Sequence, residues 1–236
     1  MSDKLRLETS PNPKLLGSKI IDCIPQTGLC PNRCNQCFYN RPGAFYRPID
    51  TPLLPTLEQA NGKIVRVNSG HDSNVNRDQV LVATKQYPNR FYNTSIPQFD
   101  FPAPVVFTCN GHRLILVPNP PKNLMFVRFR LATDNLAEAD LAVRHYWVKH
   151  GTPVVMTFMR YYEKSLVPDL SVYEFRQHVL NDYWILRPEI VLQIMSRWAK
   201  LQPPILGVRM CGTPYSSMCA DCCNCEFLYW DCLRRM

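Results

Sequence analysis

The sequence predicts an α/β protein built on a parallel sheet, and three observations predict it. Short β-rich segments recur along the chain at 19–24, 63–68, 90–95, 105–110, 124–131 and 153–159, with 204–210 a candidate seventh. Helical patterns lie between them at 76–86 and 135–150, and a long one at 171–200 breaks before Pro188. Strands alternating with helices argue for parallel pairing, because a parallel neighbour needs a crossover connection. The chain of 236 residues is long enough to bury one sizeable core.

Taken in order, the strands share a pattern. Residues on one strand face alternate with those on the other. In the fifth segment Arg128 and Arg130 fall on one face, with Val127, Phe129 and Leu131 on the other. Arg66 and Asn68 share a face of the second, Thr108 and Asn110 of the fourth, and Phe158 and Arg160 of the sixth. A structural sheet would fill such positions with branched aliphatics, so a polar lumen that holds a charged ligand is expected. The links before the third and fourth strands are short and Pro-rich, so loops are expected there. Residues 1–18 read as an N-terminal segment, 19–206 as the sheet-bearing unit and 207–236 as a Cys-rich extension.

Composition narrows the setting. The 46% hydrophobic content is ordinary for a globular protein. No apolar run reaches about 18 residues, and the start, Met1-Ser2-Asp3-Lys4-Leu5-Arg6, lacks the apolar centre of a signal peptide. A cytoplasmic protein with no membrane association is therefore expected. Eleven cysteines in such a chain point to metal ligation rather than disulfides. The net charge of +8 suits a polyanionic partner, but the basic residues are dispersed and ordinary solubility explains it as well.

The cysteines gather at two places. Cys30-Pro31-Asn32-Arg33-Cys34-Asn35-Gln36-Cys37 follows the first strand and places three thiols on one tight loop. Three thiolates can hold three corners of a cubane iron–sulfur cluster, leaving one iron open for chemistry. A structural zinc site would want a fourth protein ligand. The second group, Cys211, Cys219, Cys222, Cys223, Cys225 and Cys232, puts six cysteines in 22 residues. The spacing of Cys219, Cys222 and Cys225 is nearer to ferredoxin ligand runs than to paired zinc knuckles. A second iron–sulfur cluster on Cys219, Cys222, Cys225 and either Cys211 or Cys232 is preferred, with zinc as the alternative, and Cys223 is sterically the odd one out. Cys23 and Cys109 read as strand thiols without a ligand role.

The C-x3-C-x2-C spacing after a first strand, with the strand series and the Cys-rich tail, resembles the radical S-adenosylmethionine (SAM) superfamily. The resemblance implies a partial (β/α)6 barrel whose [4Fe-4S] cluster, on Cys30, Cys34 and Cys37, binds SAM at its open iron. It implies reductive cleavage of SAM to a 5′-deoxyadenosyl radical that abstracts hydrogen from a substrate, with an electron donor such as flavodoxin or ferredoxin. Two positions depart from the family pattern. Gln36 stands where an aromatic usually precedes the third cysteine, with Phe38 and Tyr39 following instead. The Gly-Gly-Glu motif after the second strand is replaced by Asn68-Ser69-Gly70-His71-Asp72. The resemblance nonetheless points to Asn68, Ser69, Gly70 and Asp72 for the ammonium group of SAM, Asn110 for its ribose, Arg128 or Arg130 for its carboxylate and Phe38 beside its adenine. No catalytic side chain and no substrate follow from it. The alternative is a zinc- or cluster-stabilised, non-enzymatic nucleic-acid-binding protein. It accounts for the charge and the tail, but not for a three-cysteine loop that lacks a fourth ligand.

Overall fold

A computed structural model of the chain describes residues 12–34, 37, 50–109, 114–177, 182–201 and 207–236. Seven parallel strands curl into a half-barrel: β1 (Ile20–Cys23), β2 (Ile64–Val67), β3 (Arg90–Thr94), β4 (Val105–Cys109), β5 (Leu124–Leu131) and β6 (Val154–Phe158) follow in order. An antiparallel hairpin, β7 (Tyr173–Arg176) with β8 (Tyr183–Leu186), intervenes before β9 (Val208–Met210) joins the sheet beside β6. The expected parallel sheet and partial barrel are present, and the candidate seventh strand is present over Val208–Met210. It lies beyond residue 206, so the Cys-rich stretch begins inside the sheet.

The helices are α1 (Leu57–Ala60), α2 (Arg77–Thr84), α3 (Leu136–Ala142), α4 (Pro188–Ser196), α5 (Cys219–Cys222) and α6 (Asn224–Arg235). A capping box opens α1: Thr56 Oγ1 accepts from the Gln59 N–H while Gln59 Oε1 accepts from the Thr56 N–H. From Val143 to Lys149 the backbone of α3 continues as π-helical turns. Pro188 occupies the first turn of α4, where its missing N–H costs nothing. Among the described residues no helix is long and apolar enough to cross a membrane.

Strand parity sorts the core. Outward residues of β1–β3, among them Ile21, Cys23, Val65, Val67 and Tyr92, pack with Val80 of α2. Outward residues of β4–β6, among them Phe107, Phe129, Leu131 and Met156, pack with Ala139, Tyr146 and Trp147 and with Val191 and Ile194 of α4. The concave face has two levels. Near the strand N-termini, Ile20, Ile64, Phe91, Val106, Phe126 and Val155 pack against Leu228, Tyr229 and Cys232 of α6 and against Leu15. Burying each such side chain contributes roughly 1.5–3 kcal/mol. Nearer the strand C-termini the inward positions turn polar.

Two expectations are corrected. Among the described residues the 171–200 pattern is helical only over α4; β7 and β8 pair as an antiparallel hairpin in its first half, because Tyr173, Phe175, Tyr183, Trp184 and Ile185 are aromatic or β-branched side chains that suit a pleated surface. In β6 the inward pair is Val155 and Thr157, in register with Arg128 and Arg130, whereas Phe158 packs outward. Arg160 lies past the strand end and still lines the concave side. The link to β3 carries α2, while the β3–β4 link has no helix.

Candidate functional site

A cavity of about 510 Å³ lies over the polar level of the concave face, at the C-terminal ends of the strands. In α/β barrels that end is where ligands bind, because the loops there are free of packing duties. Both groups of cysteines open into it: Cys30, Cys34 and Cys37 from the loop after β1, and Cys211, Cys219, Cys222, Cys223 and Cys225 from the tail. All eleven cysteines are free.

The first loop is short and folded on itself. The Cys37 N–H donates to the Cys34 carbonyl at 3.1 Å, and Arg33 takes a left-handed φ of 40°. Cys30 is 7% exposed and packs with Ile24, Leu53 and Cys37. Burial pushes its thiol up to about 11, with Asp72 and the other two loop thiols adding to the shift, and a hydrogen bond from the Asn32 N–H opposing it. A metal that replaces the proton removes this penalty, since the ligand form is the thiolate. Arg130 is half-buried close to the loop; desolvation lowers its pKa, and Cys37 and Cys34 pull it back up.

The tail forms the cavity's other wall. Gly212 turns the chain at φ 81°, and a Cβ there would sit 2.5 Å from the Ser216 carbonyl oxygen. Cys211, Cys219, Cys222 and Cys225 lie within electrostatic reach of one another. Burial raises the Cys219 and Cys222 thiols and takes that of Cys225 to about 12. Cys223, at a left-handed φ of 50° between α5 and α6, is exposed and bonds back to the Ala220 carbonyl. Cys232 sits apart, buried under β5, and donates to the Lys122 carbonyl. Cations surround this wall: Arg66 and Lys14 act on Cys219, Arg128 and Arg66 on Cys225, and Arg209 lies near Cys222. Burial, with Arg160 next, lowers Lys14 to about 8. Among the described residues no group of three or more His, Cys, Asp or Glu side chains is gathered tightly enough to hold a single metal ion.

The strand residues are held by networks. Arg66 Nε bonds Asp22 Oδ1 at 2.7 Å, and Asn12 Nδ2 bonds Asp22 Oδ2 at 3.0 Å, all three buried. Arg128 donates to Asn93 Oδ1 at 3.0 Å and to Thr108 Oγ1 at 3.5 Å. Asn68 is 1% exposed at φ 61°; its Nδ2 donates to Ser73 Oγ, and its Oδ1 is buried without a hydrogen-bond partner. The Thr157 hydroxyl is likewise buried and unpartnered. Ser69, Gly70, His71 and Asp72 complete this side of the cavity. His71 Nδ1 accepts from the Asp72 N–H, and burial lowers its pKa, favouring the neutral ring. Phe38 and Asn110 lie outside the described residues.

Of the expected site residues, the cavity brings together the loop thiols, the tail thiols, residues 68–72, Arg128 and Arg130. Lys14, Asn93, Thr157 and Arg209 were missed. Asp22 carried a readable signal: an acid among Ile20, Ile21 and Cys23, at the same parity as Arg66 on the next strand. Comparison with known proteins returns no match to a family model, a curated protein or a solved structure.

Proposed function

We propose that the protein is a radical SAM enzyme, with a [4Fe-4S] cluster on Cys30, Cys34 and Cys37, SAM beside it and a second iron–sulfur cluster on Cys211, Cys219, Cys222 and Cys225. When bound, the first cluster supplies the electron that cleaves the SAM sulfonium to a 5′-deoxyadenosyl radical, which takes hydrogen from the substrate. The observation that carries this reading is that a loop of three thiols, an unpartnered buried acceptor on Asn68 and a half-buried arginine, Arg130, all face one cavity at the strand C-termini.

The chain's own residues divide the work. Asn68 Oδ1 takes the SAM ammonium, an acceptor whose partner must come from the ligand. Arg130 offers its guanidinium fork to the carboxylate. The cavity walls exclude water from a reactive radical. The donor set supports iron–sulfur ligation at both walls, because each is made of free thiols with cations nearby to balance thiolate charge. With both walls on one cavity, the tail cluster stands where substrate is held. Flavodoxin or ferredoxin would deliver the electron.

The test is anaerobic reconstitution with iron and sulfide, followed by assay of 5′-deoxyadenosine from SAM and dithionite in wild type and Cys34→Ala. Product in wild type that vanishes in the variant supports the proposal. A wild type that takes up only zinc and leaves SAM intact overturns it.

A further inference from the structure

We propose that Asp72 is a positioning residue that fastens the three-cysteine loop to the ends of β2 and β3 through Asn32, instead of meeting the cofactor. The inference rests on reading Cys30, Cys34 and Cys37 as the metal loop.

The Asp72 carboxylate is already filled. Its Oδ2 accepts from Asn32 Nδ2 at 2.9 Å, the Ser95 N–H at 2.7 Å and Ser95 Oγ at 2.8 Å. Its Oδ1 accepts from Thr94 Oγ1 at 2.8 Å and the Asn74 N–H at 3.0 Å. A carboxylate offers about four lone-pair sites, so five donors exhaust it. The residue is 3% exposed. An ammonium group could reach it only by displacing donors that already make charge-assisted bonds.

Those bonds have a direction. Asn32 follows Cys30 by two residues; its backbone N–H donates to the Cys30 sulfur while its side chain grips Asp72 and, at 3.2 Å, Ser95 Oγ. On the other side of Cys30, Gln26 Nε2 donates to the Asp72 carbonyl at 3.0 Å and the Val75 carbonyl at 2.8 Å. Cys30 is therefore strung between two crosslinks that both end on the turn after β2. Residues 26–32 cannot shift without breaking them, which fixes the first thiol relative to Asn68, on the same turn. The acceptor role toward the cofactor falls to Asn68 Oδ1.

The test compares wild type with Asn32→Ala, Asp72→Asn and the double variant. In metal-free protein, timed iodoacetamide labelling read by mass spectrometry reports the freedom of each thiol, with the core thiols Cys109 and Cys232 as fold controls. Either variant should label Cys30, Cys34 and Cys37 about tenfold faster, the loss expected for one bond to a charged group, with no further gain in the double variant and no change at the controls. In reconstituted protein both variants should alter the electron paramagnetic resonance signature of the loop cluster in the same way. Unchanged loop labelling in both variants overturns the proposal, as does Asp72→Asn abolishing SAM binding while Asn32→Ala retains wild-type affinity and labelling. If Asp72→Asn also exposes the controls, Asn32→Ala, whose side chain is only half-buried, carries the decision alone. A wild type that binds no iron sinks the enzyme reading, while the metal-free labelling still decides the clamp.

Discussion

Asn68 combines a left-handed backbone with an unpartnered acceptor, and substitution can separate the two. Glycine accepts φ 61° freely, whereas alanine does not. Asn68→Gly should therefore keep the melting temperature near wild type while weakening SAM binding about tenfold. Asn68→Ala should lower both, as calorimetric titration and thermal unfolding would show. The Asp22–Arg66 pair makes a different demand. Arg66→Met takes the cation away from a buried carboxylate, at a cost of about 3–5 kcal/mol in denaturant unfolding, while Asp22→Asn together with Arg66→Met should recover part of it. Buried Cys232 sets a pH limit. Burial raises its thiol from 9.0 to about 11, so its contribution is complete below pH 9 and is lost as pH climbs through 11. The melting temperature of metal-free protein should fall across that window, and less so in Cys232→Ala. At this scale the two groups of cysteines that line the cavity were legible from their spacing along the chain. Lys14 and Arg209 were not, because the groups they face are brought to them by folding and not by spacing along the chain.

Helix α6 is the element that covers the apolar level of the sheet's concave face. Leu228, fully buried against the concave face, should cost about 2–5 kcal/mol when cut to alanine. The same substitution should quicken labelling of Cys225, which packs against that cluster. Gly212→Ala should misplace Cys211, since its Cβ would collide with the Ser216 backbone; reduced iron uptake by the tail with normal uptake by the loop would show it. The parallel strands were legible because β-rich runs such as that of β5 recur along the chain, separated by stretches long enough for a crossover. The β7–β8 hairpin was not, because its aromatic residues satisfy a helical stripe as readily as a strand, and strand pairing is a tertiary choice. The inward face of β6 was misjudged by one residue, which reverses every side chain at once.

Across the whole molecule, the positive residues that composition reported as a net +8 are in part turned inward: Lys14, Arg66, Arg128, Arg130 and Arg160 all line the cavity. That placement is legible only after folding, since charge totals carry no direction. If both walls bind clusters, metal and fold stabilise each other, because each cluster binds where folding has gathered its thiols. Reconstituted protein should melt well above metal-free protein, and air oxidation should erase the difference; equal melting temperatures would place the metals outside the structural core. The N-terminal turn over Pro13–Leu15 lies against α5, where a Cβ added at Gly17 would meet the Ala220 Cβ at 3.7 Å, so early and late segments meet beside the cavity. This meeting sets an order of events during synthesis. Strands β1–β6 leave the ribosome before α6, and until it arrives their greasy inner surface has no cover. Nascent chains stalled near residue 210 should therefore recruit chaperones that completed chains escape, and the three-cysteine loop is most open to a metal donor in that interval.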